Sequence, residues 1–259
     1  MNYDGVSPDD LAERVGCREL ICLAAVSSTL DVIHELAGEG APGGLVVLAD
    51  EQVHGRGRQG RGWYSPKGLG IWLGYLYRPP APLETGVLAL RVGLLVARAV
   101  SVVGAAPRIK WPNDILLADR KLAGVLCEAR AERDESWVAI GIGMNVHGPL
   151  PSEFAWSATA LDEHRPGVTR VQVLEELVPS LNALSPAPML ELLEHEELAR
   201  YDWLRDRALS DPVPGVARGV DRDGALLVET PNGIERLVAG SVVVARGGEQ
   251  QAGRVSSEE

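Results

Sequence analysis

The sequence is poor in cysteine, in aromatic residues and in basic residues. Its three cysteines, Cys17, Cys22 and Cys127, form no C-x-x-C pair, a pattern that argues against a zinc site or a disulfide framework and fits a reducing compartment. Aromatic residues make up 5% of the chain, and 36 acidic residues outnumber 25 basic ones to give a net charge of -11. This balance disfavours binding to nucleic acid or to an anionic membrane through a broad basic face.

Long apolar segments are also scarce. No charged-then-apolar signal sequence opens the chain, and the most apolar segment, residues 87–103, contains Arg91 and Arg98. Because that segment barely reaches the length needed to span a bilayer, it predicts a buried helix. We therefore expect a cytoplasmic protein without a membrane partner.

The apolar residues that are present support a large folded core. They make up 46% of the 259 residues, which is enough for one large domain and a small one. Apolar runs predict strands at 45–49, 71–77, 115–117, 122–128 and 137–142, and helices at 84–103, 170–184 and 188–208. Strands follow one another more often than they alternate with helices. The pattern therefore predicts an α+β fold with a mixed, largely antiparallel sheet flanked by helices.

Composition divides the chain into four segments. Residues 1–20 are polar and predict a frayed or disordered N-terminus, while residues 21–209 contain the predicted sheet and helices. Residues 210–246 start with a linker-like segment and contain short strands with Asp-Gly and Asn-Gly turns, which predict a small β-barrel. Because Pro212 and Pro214 occupy its start, we expect this barrel to lack a full first strand and to be trimmed. Residues 247–259 predict a disordered tail.

The most informative segment comprises residues 52–63, which we call the Gly/Arg loop. It alternates three arginines with four glycines and comes soon after an apolar predicted strand. Glycine allows backbone N–H groups to approach a ligand closely, and arginine offers a rigid set of donors that fits carboxylate and phosphate oxygens. The loop therefore predicts a site for a small anionic ligand, and a solvated basic loop without a ligand is the alternative.

The same loop contains a G-x-G-x-x-G pattern at Gly55, Gly57 and Gly60. In a dinucleotide-binding fold the third glycine of this pattern opens a helix. Here Gly62 and Pro66 follow and oppose a helix, so we reject a Rossmann fold. The phosphate-binding pattern G-x-x-x-x-G-K-[ST] is absent from the sequence as well.

Two further segments combine polar residues or glycines in informative patterns. Residues 110–114 (Lys-Trp-Pro-Asn-Asp) and 120–124 (Arg-Lys-Leu-Ala-Gly) put two lysines, a carboxylate and an amide around a tight turn and a hairpin. Residues 141–146 (Gly-Ile-Gly-Met-Asn-Val) predict a strand whose glycines leave room for a ligand or a second backbone. Taken singly, the first segment also fits a solvated turn and the second a β-bulge.

Together and in this order, these segments resemble the biotin protein ligase family. The matching residues are Ser28, Thr29, Gln52 and the ranges 55–63, 110–114, 120–124 and 141–146, so the resemblance spans residues 25–246. It implies a class II synthetase-like catalytic domain followed by a small β-barrel. It also implies a two-step reaction, in which biotin and Mg·ATP give biotinyl-5′-AMP and pyrophosphate. The biotinyl group then passes to a lysine of a biotin carboxyl carrier protein.

The resemblance also implies roles for individual residues. The implied catalytic cations, which would offset the repulsion between a carboxylate and a phosphate, are Lys121, Arg56 and Arg58. The implied biotin-binding residues are Ser28, Thr29, Gln52, Arg56, Gly57, Arg58, Trp63, Lys121 and Gly124. The implied ATP-binding residues are Arg58, Arg61, Trp63, Lys110, Asn113, Asp114 and Asn145. Asp114 is also the implied ligand of Mg²⁺, which prefers carboxylate and phosphate oxygens.

The sequence departs from the family pattern at three positions. Leu30 stands where many relatives have Asn, His147 where a second Asn is frequent, and His54 where a small residue is usual. We assign His147 no role. About 20 residues precede the catalytic segment, too few for the helix-turn-helix domain of some relatives, so we expect no DNA binding. The sequence leaves the oligomeric state open, and a homodimer is one of the alternatives.

Three other functions fit parts of the pattern. A lipoate ligase shares the fold and the acyl-adenylate chemistry, but the Gly/Arg loop and residues 110–114 favour biotin. A non-catalytic sensor of biotin or its adenylate is expected to have lost Lys121 or a loop arginine, and all of these are present. An RNA-binding Gly/Arg module predicts a basic domain with stacking aromatic residues, which an acidic chain with one Phe does not match.

Overall fold

The computed structural model describes residues 1–80, 85–132 and 135–245. The helices are α1 (Pro8–Arg14), α2 (Thr29–Gly38), α3 (Thr85–Val102), α4 (Arg170–Asn182) and α5 (Leu192–Tyr201). The first seven strands are β1 (Leu20–Leu23), β2 (Val46–Ala49), β3 (Gly70–Tyr77), β4 (Arg108–Lys110), β5 (Asp114–Leu117), β6 (Arg120–Glu132) and β7 (Glu135–Asn145). The last five are β8 (Ala208–Asp211), β9 (Gly215–Val220), β10 (Leu226–Thr230), β11 (Gly233–Leu237) and β12 (Val243–Val244).

The first seven strands form one sheet in the order β1-β2-β3-β7-β6-β5-β4. The β1–β2 pair is parallel, and all the other neighbouring pairs are antiparallel. The prediction of a mixed, largely antiparallel sheet is therefore confirmed. The apolar runs marked only the buried parts of β6 and β7, whose outer ends carry exposed polar residues and extend the strands beyond the predicted ranges.

Helices pack on both faces of this sheet. On one face α3 and α4 contribute Leu88 and Leu174 to a cluster that includes Ile71 and Ile140 of the sheet. On the other face α2 buries Ile33 in a separate cluster that includes residues of β2, β3 and β7. Removal of these apolar side chains from water provides the main stabilisation of the three layers.

The apolar helix α3 is a core helix, as predicted. By length and composition it also meets the criteria for a membrane span, but 72% of its residues are buried inside the protein. Arg91, which is 2% exposed, is paired there with Glu194 of α5 at 2.7 Å. Its remaining donors bind the backbone carbonyls of Ser185, Ala187 and Met189 at 2.8–3.2 Å. The charge that interrupts the apolar segment is thus satisfied within the fold.

The N-terminal segment is folded, which corrects the prediction that residues 1–20 fray. Tyr3, Leu11 and Val15 are fully buried and belong to the main core cluster. Arg170 of α4 pairs with Asp4 and lies over the Tyr3 ring at 4.1 Å from its centroid. Three apolar residues anchor this segment, and so few produce no detectable periodicity in the sequence.

Strands β8–β12 form a second, antiparallel sheet in the order β11-β10-β9-β8-β12. The small C-terminal β-domain is therefore present as predicted. Its edge strands β11 and β12 are not hydrogen-bonded to each other, so over residues 208–244 the barrel is not closed. The first strand of this sheet is β8, which has four residues and ends at Asp211 just before Pro212. Leu209 of this strand is buried. The predicted tail at 247–259 lies outside the described residues.

Helix α5 is shorter than the predicted helix at 188–208. The prolines at positions 186 and 188 precede its start, where they cannot donate backbone hydrogen bonds. After Tyr201 the backbone pairs with β4 instead, since Trp203 N donates to Ile109 O at 2.8 Å. Tertiary pairing with a strand edge therefore replaces the helical bonds that the periodicity predicted.

Candidate active site

One large cavity, about 500 Å³ in volume, opens on the α2 side of the main sheet. Strands β6 and β7 form its floor, the N-terminus of α2 and the Gly/Arg loop form one wall, and residues 110–114 form another. Residues 240–243, from the second sheet, close a further side. Every site residue predicted from the sequence lines this cavity, so the fold brings these residues together from five separate segments.

The Gly/Arg loop folds back on itself as a hairpin. Gln52 pairs with Ser65 and Arg56 pairs with Gly62 across the two limbs, and Gly57 N donates to Arg61 O at 2.7 Å. At the tip, Gln59 and Gly60 adopt φ values of 58° and 70°, a region in which glycine is favoured. The loop is therefore a defined hairpin.

Gly55 is required by the close approach of the two limbs of the hairpin. A Cβ atom at this position would lie 2.4 Å from Trp63 O and 2.6 Å from Ser65 Oγ. Trp63 N donates to Gly55 O at 2.8 Å, which holds the limbs at this distance. Gly55 therefore makes room for the returning limb of the loop. From the sequence, the loop glycines were expected to make room for a ligand.

The N-terminus of α2 is joined to the Gly/Arg loop by side-chain hydrogen bonds. The backbone N and Oγ1 of Thr29 both donate to Gln52 Oε1, at 2.9 and 3.1 Å, and Gln52 Nε2 donates to Ser65 Oγ at 2.9 Å. Ser28, the N-cap residue of α2, is 1% exposed beside them. Polar groups therefore converge at this end of the cavity in fixed orientations.

Trp63 lies flat against the sheet, where two glycines make room for it. A Cβ atom on Gly143 would lie 2.5 Å from Trp63 Nε1, and one on Gly124 would lie 3.4 Å from Trp63 Cζ3. The neighbouring Gly141 accommodates Leu30 in the same way, at 3.1 Å. The strand glycines were predicted to leave room for a ligand or a second backbone. In the structure, Gly143 and Gly141 make room for the side chains of Trp63 and Leu30.

Lys121 is held above the Trp63 ring by its strand and by a carboxylate. Its Nζ atom lies 5.0 Å from the ring centroid, a cation–π distance, and 2.6 Å from Asp114 Oδ1. Its backbone N donates to Ser157 O at 2.8 Å, and its carbonyl accepts from Thr159 N at 3.0 Å. The predicted hairpin between β5 and β6 is present, with Ala118 and Asp119 at positive φ in its turn.

Asp114 is the only acidic side chain among the described residues that line the cavity. No group of three or more His, Cys, Asp or Glu side chains suited to a metal ion occurs within the described ranges. A single carboxylate is nevertheless compatible with Mg²⁺ bound mainly by phosphate oxygens and water. The role of Asp114 as a ligand of Mg²⁺ therefore stays a prediction, and it applies to a metal ion that binds together with the nucleotide.

Arg58 joins the tip of the Gly/Arg loop to the second sheet. Its Nη1 donates to Gly240 O at 3.0 Å and to Asn113 Oδ1 at 3.4 Å, while Asn113 Nδ2 donates to Val125 O at 2.8 Å. Burial lowers the pKa of the Arg58 guanidinium, and the neighbouring Asp114 acts against that shift. An arginine remains protonated under these conditions, so Arg58 brings a partly desolvated positive charge to the cavity.

The guanidinium of Arg56, which lines the cavity, is bonded to residues of α2 and β6 that are not part of the cavity lining. It is paired with Asp31 and, at 3.3 Å, with Glu128 Oε2. Since the ligand role of Arg56 came from resemblance, this placement shows that its side chain already has two anionic partners within the protein.

The remaining predicted residues lie at the rim or in the walls. Lys110 Nζ lies 5.5 Å from the Trp203 ring centroid, and Asn145 Nδ2 donates to Thr159 O at 3.2 Å. Arg61 is exposed and bonds Gln59 Oε1 at 3.3 Å. Lys110, Arg61, Arg58 and Lys121 together bring four positive charges to the cavity, and Asp114 brings one negative charge. In an acidic protein this arrangement suits a ligand with several anionic oxygens.

Sequence reasoning missed two parts of the wall. Residues 150–158 contribute Phe154, whose ring lies 5.8 Å from that of Tyr64 across the cavity mouth. Residues 240–243 contribute through the second sheet. A cluster of aromatic residues, Phe154 and Trp156, was the available signal for the first part. His147, which received no role, is satisfied by Asp162 at 3.3 Å.

The chain is similar to known proteins in both sequence and fold. The model of the biotin/lipoate A/B protein ligase family matches residues 23–145, and that of the biotin protein ligase C-terminal domain matches residues 207–244. The bifunctional ligase/repressor BirA of Bacillus subtilis (strain 168) is 36% identical over 239 residues, which are 87% of this chain and 74% of that protein. The biotin–[acetyl-CoA-carboxylase] ligase of Paracoccus denitrificans is 33% identical over 250 residues, 85% of this chain and 98% of that protein.

Among solved structures, the biotin protein ligase from Aquifex aeolicus in complex with biotin and ATP matches with a TM-score of 0.74 and 26% identity. The match covers 88% of this chain and 99% of that one.

Proposed function

The chain belongs to the biotin/lipoate A/B protein ligase family, and from this premise we propose that it is a biotin protein ligase. It activates biotin with ATP to biotinyl-5′-AMP, releases pyrophosphate, and transfers the biotinyl group to a lysine of a biotin carboxyl carrier protein. The observation that carries this proposal is the convergence of four basic side chains on a cavity of about 500 Å³ in which the Trp63 indole lies against the floor of β6 and β7. The cavity provides an apolar surface for a ring and cations for two anions.

In the first step a carboxylate oxygen of biotin attacks the α-phosphorus of ATP, and the bond from that phosphorus to the bridging oxygen of pyrophosphate breaks. The two reactants are both anionic, so their approach requires positive charge that is already in place. We assign that task to Lys121 and Arg58. Lys121 would exchange its contact with Asp114 for an oxygen of the reacting groups. A preorganised charge of this kind is worth about 100- to 1000-fold in rate.

Biotin is proposed to occupy the end of the cavity between α2 and Trp63. Thr29 and Gln52 form a polar wall there beside Ser28, and Gly124 lies beside Lys121 on the floor. The neutral ureido ring requires such hydrogen-bonding partners when it leaves water. The Trp63 ring would contact the apolar part of the bicycle.

ATP is proposed to lie between residues 110–114 and the segment 240–243. Lys110, Arg61 and Asn113 line this side, and Asn145 lies in the floor. Mg²⁺ would enter with the triphosphate as Mg·ATP, where it neutralises phosphate charge, and Asp114 is the carboxylate positioned to hold it. The Gly/Arg loop, linked by Arg58 to Gly240 O, would shield the mixed anhydride from water until the carrier lysine attacks.

In the second step the amine of the carrier lysine attacks the acyl carbon of biotinyl-5′-AMP, the acyl–phosphate bond breaks, and AMP leaves. The proposed partner is the carrier protein or domain of a biotin-dependent carboxylase, which requires access to the cavity mouth near Tyr64. A cytoplasmic location completes the proposal. The monomer and the homodimer remain alternatives to be decided by measurement in solution.

The experiment that tests the proposal is exchange of labelled pyrophosphate into ATP by the purified chain, with biotin, lipoate or octanoate as the acid. Exchange that depends on biotin alone is the expected result, and it should be lost in Lys121→Ala. Exchange with lipoate in preference to biotin would replace the proposed substrate. Folded protein that exchanges with none of the three acids would support a binding function without catalysis.

A further inference from the structure

Arg56 belongs to a network of polar side chains behind the Gly/Arg loop. Its guanidinium bonds Asp31, in the first turn of α2, and Glu128 Oε2 of β6 at 3.3 Å. The same oxygen of Glu128 lies 3.0 Å from His34 Nε2. Residues 52–56, which we call the near limb of the loop, are thereby joined through Arg56 to helix α2 and to strand β6.

The histidine of this network is fixed in one neutral form. Trp137 Nε1 can only donate, and it lies 3.0 Å from His34 Nδ1, so Nδ1 must accept and the ring proton must be on Nε2. His34 therefore donates to Glu128. Its side chain is 2% exposed, and burial lowers the pKa of His34. One oxygen of Glu128 is thus held by a neutral donor, His34, and by the Arg56 guanidinium.

The negative charges of Asp31 and Glu128 explain why the Arg56 guanidinium stays in this position. Two carboxylates face one guanidinium, and burial, which acts to lower the pKa of Arg56, is outweighed by the bonds to these carboxylates. A ligand carboxylate in the cavity would have to compete with both of them for the same donors. The loop carries two further arginines, Arg58 and Arg61, whose described bonds are to neutral oxygens.

We propose that Arg56 is a positioning residue: Asp31 and Glu128 clamp its guanidinium and so hold the near limb of the Gly/Arg loop over the cavity. This inference rests on the proposed function for its consequence, which is retention of biotin. Opening the clamp releases Arg56 from Asp31 and Glu128, while the hydrogen bonds from Thr29 to Gln52 keep the base of the limb joined to α2. Lys121 and Arg58 remain in place. Biotin should then leave more readily, and the rate of adenylation at saturation should change little.

The test compares three variants in pyrophosphate exchange. Glu128→Gln and the double variant Asp31→Asn/Glu128→Gln remove charge from the clamp while they keep the shapes of the side chains. Glu35→Gln is the matched control, because it removes a charge from the same helix at an exposed position whose side chain has no described bond to Arg56. We expect the double variant to raise KM for biotin about fivefold, the factor expected for a partly exposed ion pair. Its kcat should change less than about twofold, and the control should match the wild type.

A second readout does not depend on catalysis. Trypsin cleaves after the arginines of the Gly/Arg loop, so opening of the clamp should accelerate cleavage after Arg56, Arg58 and Arg61 in mass-spectrometric mapping. Cleavage after Lys67, which is exposed beyond the hairpin, serves as the internal reference. The single variant Glu128→Gln keeps the comparison available if the double variant unfolds.

The outcomes separate the two proposals. Faster cleavage of the loop with a raised KM supports the clamp. Unchanged cleavage would overturn it, and so would a fall in kcat at constant KM, which would mean that the network acts on the chemical step. If the wild type shows no exchange with biotin, the proposed function fails. The cleavage rates then still decide whether Asp31 and Glu128 hold the loop.

Discussion

The contact between Trp63 and the sheet predicts a selective loss of ligand binding in the variant Gly143→Ala. The added Cβ atom would lie 2.5 Å from Nε1 and 2.6 Å from Cε2 of the indole, whereas ordinary contacts start near 3.4 Å. The ring therefore has to move by about 1 Å, and overpacking of this kind costs about 1–3 kcal/mol. The backbone of β7 pairs with β3 and β6 on either side and cannot yield.

The direction in which the ring moves determines whether the substitution reduces folding stability or ligand binding. On the far side of the indole lies the open cavity, so the ring can move there with a modest effect on folding. It would then occupy space that we assign to biotin. If most of the 1–3 kcal/mol appears in binding, the affinity for biotin should fall about 5- to 150-fold.

The assay is calorimetric titration with biotin, together with thermal unfolding of the same samples. Gly93→Ala is the control, since a Cβ atom at that position in α3 has no heavy atom within 4 Å outside the helix backbone. It should bind biotin as the wild type does and unfold at a higher temperature, because alanine is favoured over glycine in a helix by about 1 kcal/mol. Wild-type affinity in Gly143→Ala would refute the placement of biotin beside Trp63.

Three further predictions follow from individual contacts. Lys121→Ala should keep the fold and reduce the rate of biotin-dependent pyrophosphate exchange by about 100-fold or more, and a wild-type rate would remove its proposed role. Gly55→Ala should impair biotin binding more than Gly143→Ala in the same titration, because its Cβ atom meets the backbone oxygen of Trp63 at 2.4 Å and backbone cannot rotate away. Asp202→Asn should raise the unfolding temperature at pH 7.5, because burial raises the pKa of Asp202 and its Oδ2 has no partner among the described residues. That gain should shrink as the pH falls through the raised pKa, since the wild-type carboxyl then loses its charge too; a gain that grows towards acid pH would contradict this reasoning.

Much of the main sheet could be predicted from the sequence because its strands are long, apolar and rich in branched residues. Strands β3, β6 and β7 are of this kind, and α3 and α4 have the spacing of buried helices. The shorter elements depend on partners that are distant in sequence. Strand β4 has three residues and forms against β5, and α1 is held by buried contacts of Tyr3 and Leu11.

The sequence predicted which residues line the cavity, but it did not predict the contacts that they make there. Motifs identified Arg56, Trp63 and Gly143 as members, and all three line the cavity. That Gly143 accommodates the indole and that Arg56 faces two carboxylates are consequences of tertiary packing, which no spacing along the chain encodes. The segment 240–243 was missed for the same reason, because it reaches the cavity only through the position of the second sheet.

The measurement that tests the central claim most directly is detection of the intermediate itself. The purified chain is incubated with biotin and Mg·ATP, passed through a desalting column, and analysed by mass spectrometry under native and denaturing conditions. The account predicts biotinyl-5′-AMP retained by the wild type and absent from Lys121→Ala, with transfer of biotin to a carrier lysine when a carrier domain is added. Retention of unreacted biotin and ATP by folded wild-type protein, with no adenylate and no labelled carrier, would contradict it.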